Sequence, residues 1–133
     1  MVLVDWNDQF ELGVARMDAA HREFIDLLNR LHAASPREVI PTLFARLVEH
    51  AERHFGDEER WMQESGFPLT SVHRGEHDRV LAILRETLQQ LQAGDTASGQ
   101  KLVMEMLAWF EQHAASMDLA LARHLEAAGY SAD

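Results

Sequence analysis

The sequence predicts an all-α fold, an antiparallel up-down-up-down four-helix bundle preceded by an irregular N-terminal arm. Three observations predict it. Apolar residues recur every three or four positions along four long segments, as they do on the buried face of a helix. Short stretches with glycine or proline separate these segments, and no segment alternates as a strand does. Four such helices can bury their apolar stripes against one another as a bundle. The chain is predicted to form a single domain spanning residues 1–133.

The arm is predicted to cover residues 1–17, and the bundle is predicted to cover residues 18–127. Within the arm, Trp6 is expected to be a packing anchor. Asp18 is a suitable N-cap for the first helix, which should run to about Ala33. The inward stripe of this helix is expected to contain His21, Phe24, Ile25, Leu28 and Leu31.

The second helix has two suitable starting points. The segment "SPRE" at 35–38 has the spacing of a capping box, and Pro41 suits a first helical turn. The helix is therefore expected to begin between residues 36 and 41 and to run to about Glu64, where "SGFP" interrupts the pattern. Its inward stripe is expected to contain Leu43, Leu47, His50 or Ala51, His54, Glu58, and Trp61 or Met62.

The third helix should begin near Thr70 or Ser71 and end before Gly94. Its inward stripe contains His73, His77, Val80 or Leu81, Leu84, Leu88 and Leu91. The fourth helix should run from roughly Ser98 to Ala127, shortly before a glycine. Its inward stripe contains Leu102, Met106, Trp109 or Phe110, His113, Met117 and Leu121.

Composition excludes several classes of function. A formal charge of −10 and a pI near 5.1 argue against binding to nucleic acid, whose phosphates require a basic surface. The chain has no polybasic segment for a membrane surface, and its N-terminus does not resemble a signal peptide. With no cysteine it has no thiolate ligand, which is consistent with a reducing compartment. We expect a cytoplasmic protein with no obligate protein partner.

Histidine occurs on the apolar stripe of every predicted helix. A single core histidine is more often satisfied by a hydrogen bond than by a metal, but four helices sharing this pattern indicate a common site. His54 and Glu58 form an i, i+4 pair that projects two donors towards one point, as do His73 and His77. In an antiparallel bundle all the candidates fall in one half of the molecule. The pattern predicts a buried metal site.

His113 and Asp118 are five residues apart, or about 140° around an α-helix, which poorly suits two ligands of one small ion. The spacing suits two ions better, with the carboxylate reaching across to bridge them. Five imidazoles and two carboxylates also exceed what one zinc ion requires, and imidazole with carboxylate suits iron.

Four motifs in this order resemble the hemerythrin family, in particular its single-domain bacterial members. They are "MDAAH" at 17–21, "HFGDEE" at 54–59, "HRGEH" at 73–77 and "HAASMD" at 113–118. The resemblance implies a non-haem di-iron centre (Fe²⁺/Fe³⁺) with a bridging oxo or hydroxo group. Its implied ligands are His73, His77 and His113 on one iron, His21 and His54 on the other, and Glu58 and Asp118 bridging both. An open position on the iron with fewer histidines would take O₂.

The resemblance also implies an apolar O₂ pocket, formed by Phe24, Phe55, Trp109, Phe110 and Ala114. The family more often carries Leu and Ile at the last two positions. The expected function is reversible O₂ binding, as a carrier, store or scavenger, and not catalysis. The alternatives are O₂ or redox sensing through a separate partner, and catalysis on peroxide or nitric oxide.

Four polar residues are predicted to lie outside the ligand set. His50 is expected to pack beside the site rather than to be an additional ligand. His32 and His124 lie near helix ends and are expected on the surface, and Glu59 is expected to be solvated because it projects about 100° away from its neighbour Glu58.

Overall fold

The computed structural model describes residues 6, 8–34 and 39–132, and this part of the chain contains helices and no strand. The elements are a 3₁₀ turn (Asp8–Phe10), α1 (Ala15–His32), α2 (Ile40–Ser65), α3 (Thr70–Gln92), α4 (Thr96–His113), a π-helical turn (Ala114–Asp118) and α5 (Leu119–Ala127). The π turn joins α4 and α5 into the fourth rod of the bundle. Since α1 and α3 each pack against α2 and α4, the four rods form a closed ring, which confirms the predicted four-helix bundle.

The helix ends follow local sequence signals. Pro41 lies in the first turn of α2, and Gly66 ends this helix in the left-handed conformation with φ 71°. Asp95 caps α4, its side chain accepting a hydrogen bond from the Ser98 N–H at 3.3 Å. The fourth helix therefore begins two residues before its predicted start at Ser98. The predicted capping box at 35–38 lies outside the described residues.

The prediction that Asp18 caps the first helix is wrong. The helix α1 begins earlier, at Ala15, and Asp18 lies buried in its first turn. Its carboxylate accepts hydrogen bonds from the backbone N–H groups of Leu12 at 2.8 Å and Gly13 at 3.1 Å. These donors belong to the incoming chain, which turns inwards and requires an acceptor there. The arm consequently ends at Val14 instead of residue 17.

The described part of the arm packs on the bundle through aromatic rings. Phe10 is buried, with its ring centroid 5.6 Å from that of Phe110. Trp6 lies 5.5 Å from Phe10, and the Arg22 guanidinium lies 4.7 Å above its ring. These contacts agree with the expected anchoring role of Trp6 and connect the arm to α1 and α4.

The core consists of two apolar clusters, and polar side chains separate them. On α1, His21 lies between Met17 of the smaller cluster and Phe24 of the larger. On α2, Glu58 separates Phe55 from Trp61 in the same way. The intervening side chains, which we call the polar layer, are His21, His54, Glu58, His73, His77, His113 and Asp118. The larger cluster fills the longer part of the bundle, so the polar layer lies off centre.

Replacing Asp18 by Ala should lower the stability of the fold, because the N–H groups of Leu12 and Gly13 would lose their acceptor. Each unsatisfied buried donor costs about 1–3 kcal/mol. Urea titration should therefore show a clearly lower unfolding midpoint. The matched control is Asp26→Ala on the same helix, whose exposed carboxylate pairs with Arg30 and should contribute less than about 1 kcal/mol. Equal midpoints for the two variants would contradict this role of Asp18.

Candidate metal centre

The polar layer collects side chains from all four rods and excludes water from them. None of its members is more than 6% exposed, and Glu58 and His77 are fully buried. Burying this many ionisable groups is costly unless they pair with each other or bind an ion. The structure therefore brings together all seven residues that the resemblance implies as metal ligands.

The donor atoms of the polar layer form two groups that share Glu58, and within each group they lie within 4.8 Å of one another. The larger group is Glu58, His73, His77, His113 and Asp118, and the smaller group is His21, His54 and Glu58. Each group is a set of nitrogen and oxygen donors that could hold one metal ion. The arrangement fits two adjacent ions.

Glu58 divides its two carboxylate oxygens between the groups. Oε1 lies 3.2 Å from Nε2 of His77 and 3.4 Å from that of His73. Oε2 faces the other way and lies 3.1 Å from Nε2 of His54 and 3.7 Å from that of His21. One carboxylate therefore serves both groups, as a bridging ligand does.

Asp118 divides its oxygens in the same manner. Oδ1 lies 3.1 Å from Nε2 of His73 and 3.0 Å from that of His113. Oδ2 lies 3.1 Å from Nε2 of His21, on the side of the smaller group. With Glu58, Asp118 gives the layer two carboxylates in bridging positions.

The nitrogen and oxygen atoms of the polar layer are arranged as ligands around a metal ion are, and not as hydrogen-bonded pairs. Although the nitrogens and oxygens are close, several have no hydrogen-bond partner among the described residues. These atoms are Nε2 of His21, His73, His77 and His113, both oxygens of Glu58, and Oδ1 of Asp118. Around an ion bound at about 2.1 Å, adjacent ligand atoms lie about 3.0 Å apart and point at the ion instead of at each other. The residues present thus fit a pair of metal ions, and their mixture of imidazole and carboxylate suits iron.

The π turn explains how His113 and Asp118 reach the same group. The N–H of Leu119 donates to the carbonyl of Ala114, five residues back. One turn of π-helix brings residues five apart to the same side of the helix, as one turn of α-helix does for residues four apart. The predicted angle of about 140° was wrong because it assumed an unbroken α-helix. Isolated π turns of this kind often occur at functional sites.

The charges within the polar layer shift its pKa values strongly. Burial by itself lowers the pKa of His21, but the adjacent carboxylates of Asp118 and Glu58 outweigh burial and raise it to about 10. The same opposition of burial and carboxylates raises the pKa of His73 to about 9. Conversely, the surrounding imidazoles hold the pKa values of Glu58 and Asp118 below their usual range despite burial. Without metal, protons on His21 and His73 balance the two carboxylates.

Glu59 contacts the polar layer, contrary to the prediction that it is solvated. Its Oε2 lies 3.2 Å from Nδ1 of His77, and its side chain is only 25% exposed. Its other oxygen lies 3.5 Å from Nε of Arg74. With Nδ1 directed at a carboxylate, Nε2 of His77 faces the metal group, an arrangement that orients and strengthens a histidine ligand. The 100° offset from Glu58 was correct, but the neighbouring helix α3 occupies that direction.

Aromatic rings hold two histidines of the layer in place. Phe55 stacks on His77 with centroids 4.0 Å apart and planes at 2°. Trp109 stacks on His113 at 4.5 Å and 20°. The indole N–H of Trp109 donates to Glu76 Oε1 at 2.8 Å. These contacts restrict the orientation of the imidazole rings.

The remaining histidines have separate roles. His50 is buried, its Nε2 lies 3.1 Å from Glu23 Oε2, and it belongs to neither donor group. His32 is exposed as expected. His124 is half-buried, contrary to the prediction that it lies on the surface. Its Nε2 lies 3.0 Å from the carbonyl oxygen of Ser65, at the end of α2.

A small inner cavity adjoins the polar layer, and members of both donor groups line it. Its polar wall consists of His21, His54, His113 and Asp118, and its apolar wall of Phe24, Ala51, Phe55, Trp109 and Phe110. The centre of a water-sized molecule has about 10 Å³ available, which is near the minimum for one water or a diatomic molecule.

Four of the five predicted pocket residues therefore line the inner cavity, while the fifth, Ala114, is buried in the π turn and is not part of the wall. The extra residue of that turn changes which side chains face inwards. Sequence reasoning did not assign Ala51 to the pocket. Its position one turn before His54 and Phe55 is the signal that could have identified it.

Comparison with known proteins identifies the family. The family model described as the hemerythrin HHE cation binding domain matches residues 12–125. The chain belongs to the hemerythrin family. This family membership confirms the resemblance seen in the four sequence motifs, and the matched segment contains all seven members of the polar layer.

Individual hemerythrin relatives agree over most of their length. The chain is 41% identical to the bacteriohemerythrin of Ralstonia nicotianae over 118 residues, covering 89% of this chain and 85% of that protein. It is 26% identical to that of Methylococcus capsulatus over 122 residues, covering 89% and 93%. Among solved structures, a leucine-to-alanine variant of hemerythrin has a TM-score of 0.87 at 26% identity, covering 94% of this chain and 98% of the other.

None of the described helices combines the length and the apolar character that a membrane span requires.

Metal binding should release protons from the polar layer. Since His21 and His73 have pKa values of about 10 and 9, both are protonated at pH 8, and both must lose the proton to bind metal. The logarithm of the overall affinity for two Fe²⁺ ions should therefore rise with a slope of about two between pH 7 and 8, because each ion displaces about one proton. Anaerobic Fe²⁺ titration against a competing chelator measures this slope. An affinity independent of pH in this range would contradict the raised pKa values.

Replacing Glu59 by Ala should weaken metal binding, because His77 would lose the carboxylate that orients it. Loss of such a contact typically lowers metal affinity by about 10- to 100-fold. The control is Glu52→Ala on the same helix, an exposed carboxylate whose Oε2 lies 3.8 Å from Nη2 of Arg85. Competition titration with Zn²⁺ would measure both affinities. If the two variants bind metal equally well, Glu59 does not support His77.

Proposed function

We propose that this protein binds O₂ reversibly at a di-iron centre held by the polar layer. In this proposal His73, His77 and His113 bind one iron, His21 and His54 bind the other, and Glu58 and Asp118 bridge them. The two donor groups and the divided carboxylates support this assignment. Membership of the hemerythrin family supports iron as the metal.

The observation that carries the proposal is the position of the inner cavity. Both imidazoles of the smaller donor group, His21 and His54, line it. This group has two histidines, whereas the larger has three, so the smaller group leaves more of its ion uncovered. In this proposal, the open position on that ion faces the inner cavity, in which a diatomic molecule would fit.

When bound, a pair of ferrous ions supplies the electrons that hold O₂. The protein's contribution is to keep the site dry and its ligands in place. Phe24, Phe55 and Phe110 are each at most 4% exposed and form most of the apolar wall. By excluding water they oppose the loss of charged oxygen species into solvent, which favours release of O₂ itself.

Phe110 couples this wall to the rest of the fold. Its ring lies 5.1 Å from that of His21, edge to face, and 5.4 Å from that of Phe24. On its outer side it contacts Phe10 of the arm. The arm therefore supports the cavity wall from behind, and a smaller residue at this position would leave that contact unfilled.

We propose binding in preference to catalysis because the polar side chains that line the inner cavity are all in the proposed ligand set. None is left over as a separate acid or base for turnover of peroxide or nitric oxide. Whether the bound state is used for storage, delivery or scavenging, or is sensed by another protein, depends on partners outside this chain.

The test is a reversible optical change. Protein loaded anaerobically with Fe²⁺ should develop a visible absorption band when O₂ is added and lose it when O₂ is removed, over repeated cycles. Glu58→Gln should abolish the band because the shared carboxylate is lost, whereas Glu52→Gln, exposed on the same helix, should retain it. A wild-type protein that binds iron but shows no band, or one that bleaches irreversibly in the first cycle, would contradict the proposal.

A further inference from the structure

Two surface grooves share a wall with the inner cavity. The first, which we call the α1/α2 groove, has a volume of about 330 Å³ and includes Glu23, His50 and His54. The second, which we call the α3/α4 groove, has a volume of about 240 Å³ and includes Glu76, Trp109 and His113. Each groove is open to solvent, whereas the inner cavity leaves only about 10 Å³ for the centre of a water-sized molecule.

The shared walls differ in their freedom to move. The α1/α2 groove meets the cavity at His54, and the α3/α4 groove meets it at Trp109 and His113. Both histidines belong to the donor groups and could not swing aside without leaving the metal. Trp109 belongs to neither group, so the indole is the shared wall that can move without breaking a bond between a ligand and the metal.

The indole is held by one polar contact in addition to its ring contacts. Its N–H donates to Oε1 of Glu76 across the interface between α4 and α3. Glu76 is itself fixed by Arg79 on its own helix, at 2.6 Å from Oε1 and 3.2 Å from Oε2. On the cavity side the indole contacts two aromatic rings, Phe55 edge-on at 6.1 Å and His113 face to face.

We propose that Trp109 is a gate between the α3/α4 groove and the inner cavity, and that Glu76 latches it. The gate would admit a small uncharged molecule, because the inner side of the indole faces an aromatic ring and disfavours ions. This inference rests on the proposed O₂ function and adds the route by which O₂ reaches the site. Glu76 is a positioning residue here, since it acts through the indole.

A gate changes the rates of O₂ binding and release without changing the affinity, whereas a change at the metal site alters the affinity. Weakening the latch should raise the association and dissociation rates of O₂ by the same factor and leave the affinity unchanged. For Glu76→Leu we expect a factor of about ten in both rates, which corresponds to about 1.4 kcal/mol, the size of a hydrogen bond to a charged acceptor. Glu76→Gln retains an acceptor oxygen and should restore rates close to wild type.

The matched control is Glu23→Leu, which removes the carboxylate from the ring N–H of His50 in the α1/α2 groove. Stopped-flow mixing of the iron-loaded protein with O₂ gives the association rate, and rapid O₂ removal gives the dissociation rate. Unchanged rates in Glu76→Leu would overturn the gate. A larger acceleration in Glu23→Leu than in Glu76→Leu would also overturn it, because O₂ would then enter through the other groove.

A second measurement requires no O₂ binding. In the zinc-loaded protein, hydrogen exchange of the Trp109 indole N–H, followed by NMR, reports opening of the latch. We expect exchange about tenfold faster in Glu76→Leu than in wild type and little change in Glu76→Gln; equal exchange in all three would overturn the latch. Failure of the wild-type protein to bind O₂ would contradict the proposed function. The rates of indole N–H exchange test the latch independently of that result.

Discussion

The burial of two carboxylates among five imidazoles is the constraint on which the rest of this structure depends. Each charged group in the polar layer would be strongly unfavourable alone, and the layer exists only because its members compensate one another or bind metal. They must therefore arrive together, from all four rods, at one level of the bundle. The two apolar clusters on either side supply the packing that holds the rods in that register.

Side chains outside the ligand set orient the histidines of the polar layer and shield them from water. Glu59 holds the outer nitrogen of His77, Phe55 covers the face of the same ring, and Trp109 covers His113. Because Phe55 and Trp109 also line the inner cavity, the side chains that orient the proposed ligands are partly those that exclude water from the proposed O₂ site. Support of the metal and control of access are therefore physically linked.

Much of the architecture could be predicted because helical periodicity is a local property of the sequence. The four stripes, the ends of α2 and α3, and the convergence of histidines in one half of the bundle all follow from spacing and helix rise. Predictions failed where a partner on another element decided the outcome. Glu59 meets α3, and His124 reaches the end of α2, so a single-helix view wrongly assigned both to solvent.

The sequence by itself predicted the seven members of the polar layer. Histidine and carboxylate on apolar stripes are costly to bury unless they converge on an ion, and the hemerythrin resemblance implied the ligand set. The sequence also determined the fold class and the family. Only the tertiary structure decided how Asp118 reaches the same donor group as His113, since π turns are rare and the sequence periodicity predicts an unbroken α-helix there. It alone placed Ala51 in the wall of the inner cavity, because a cavity is defined by several helices at once.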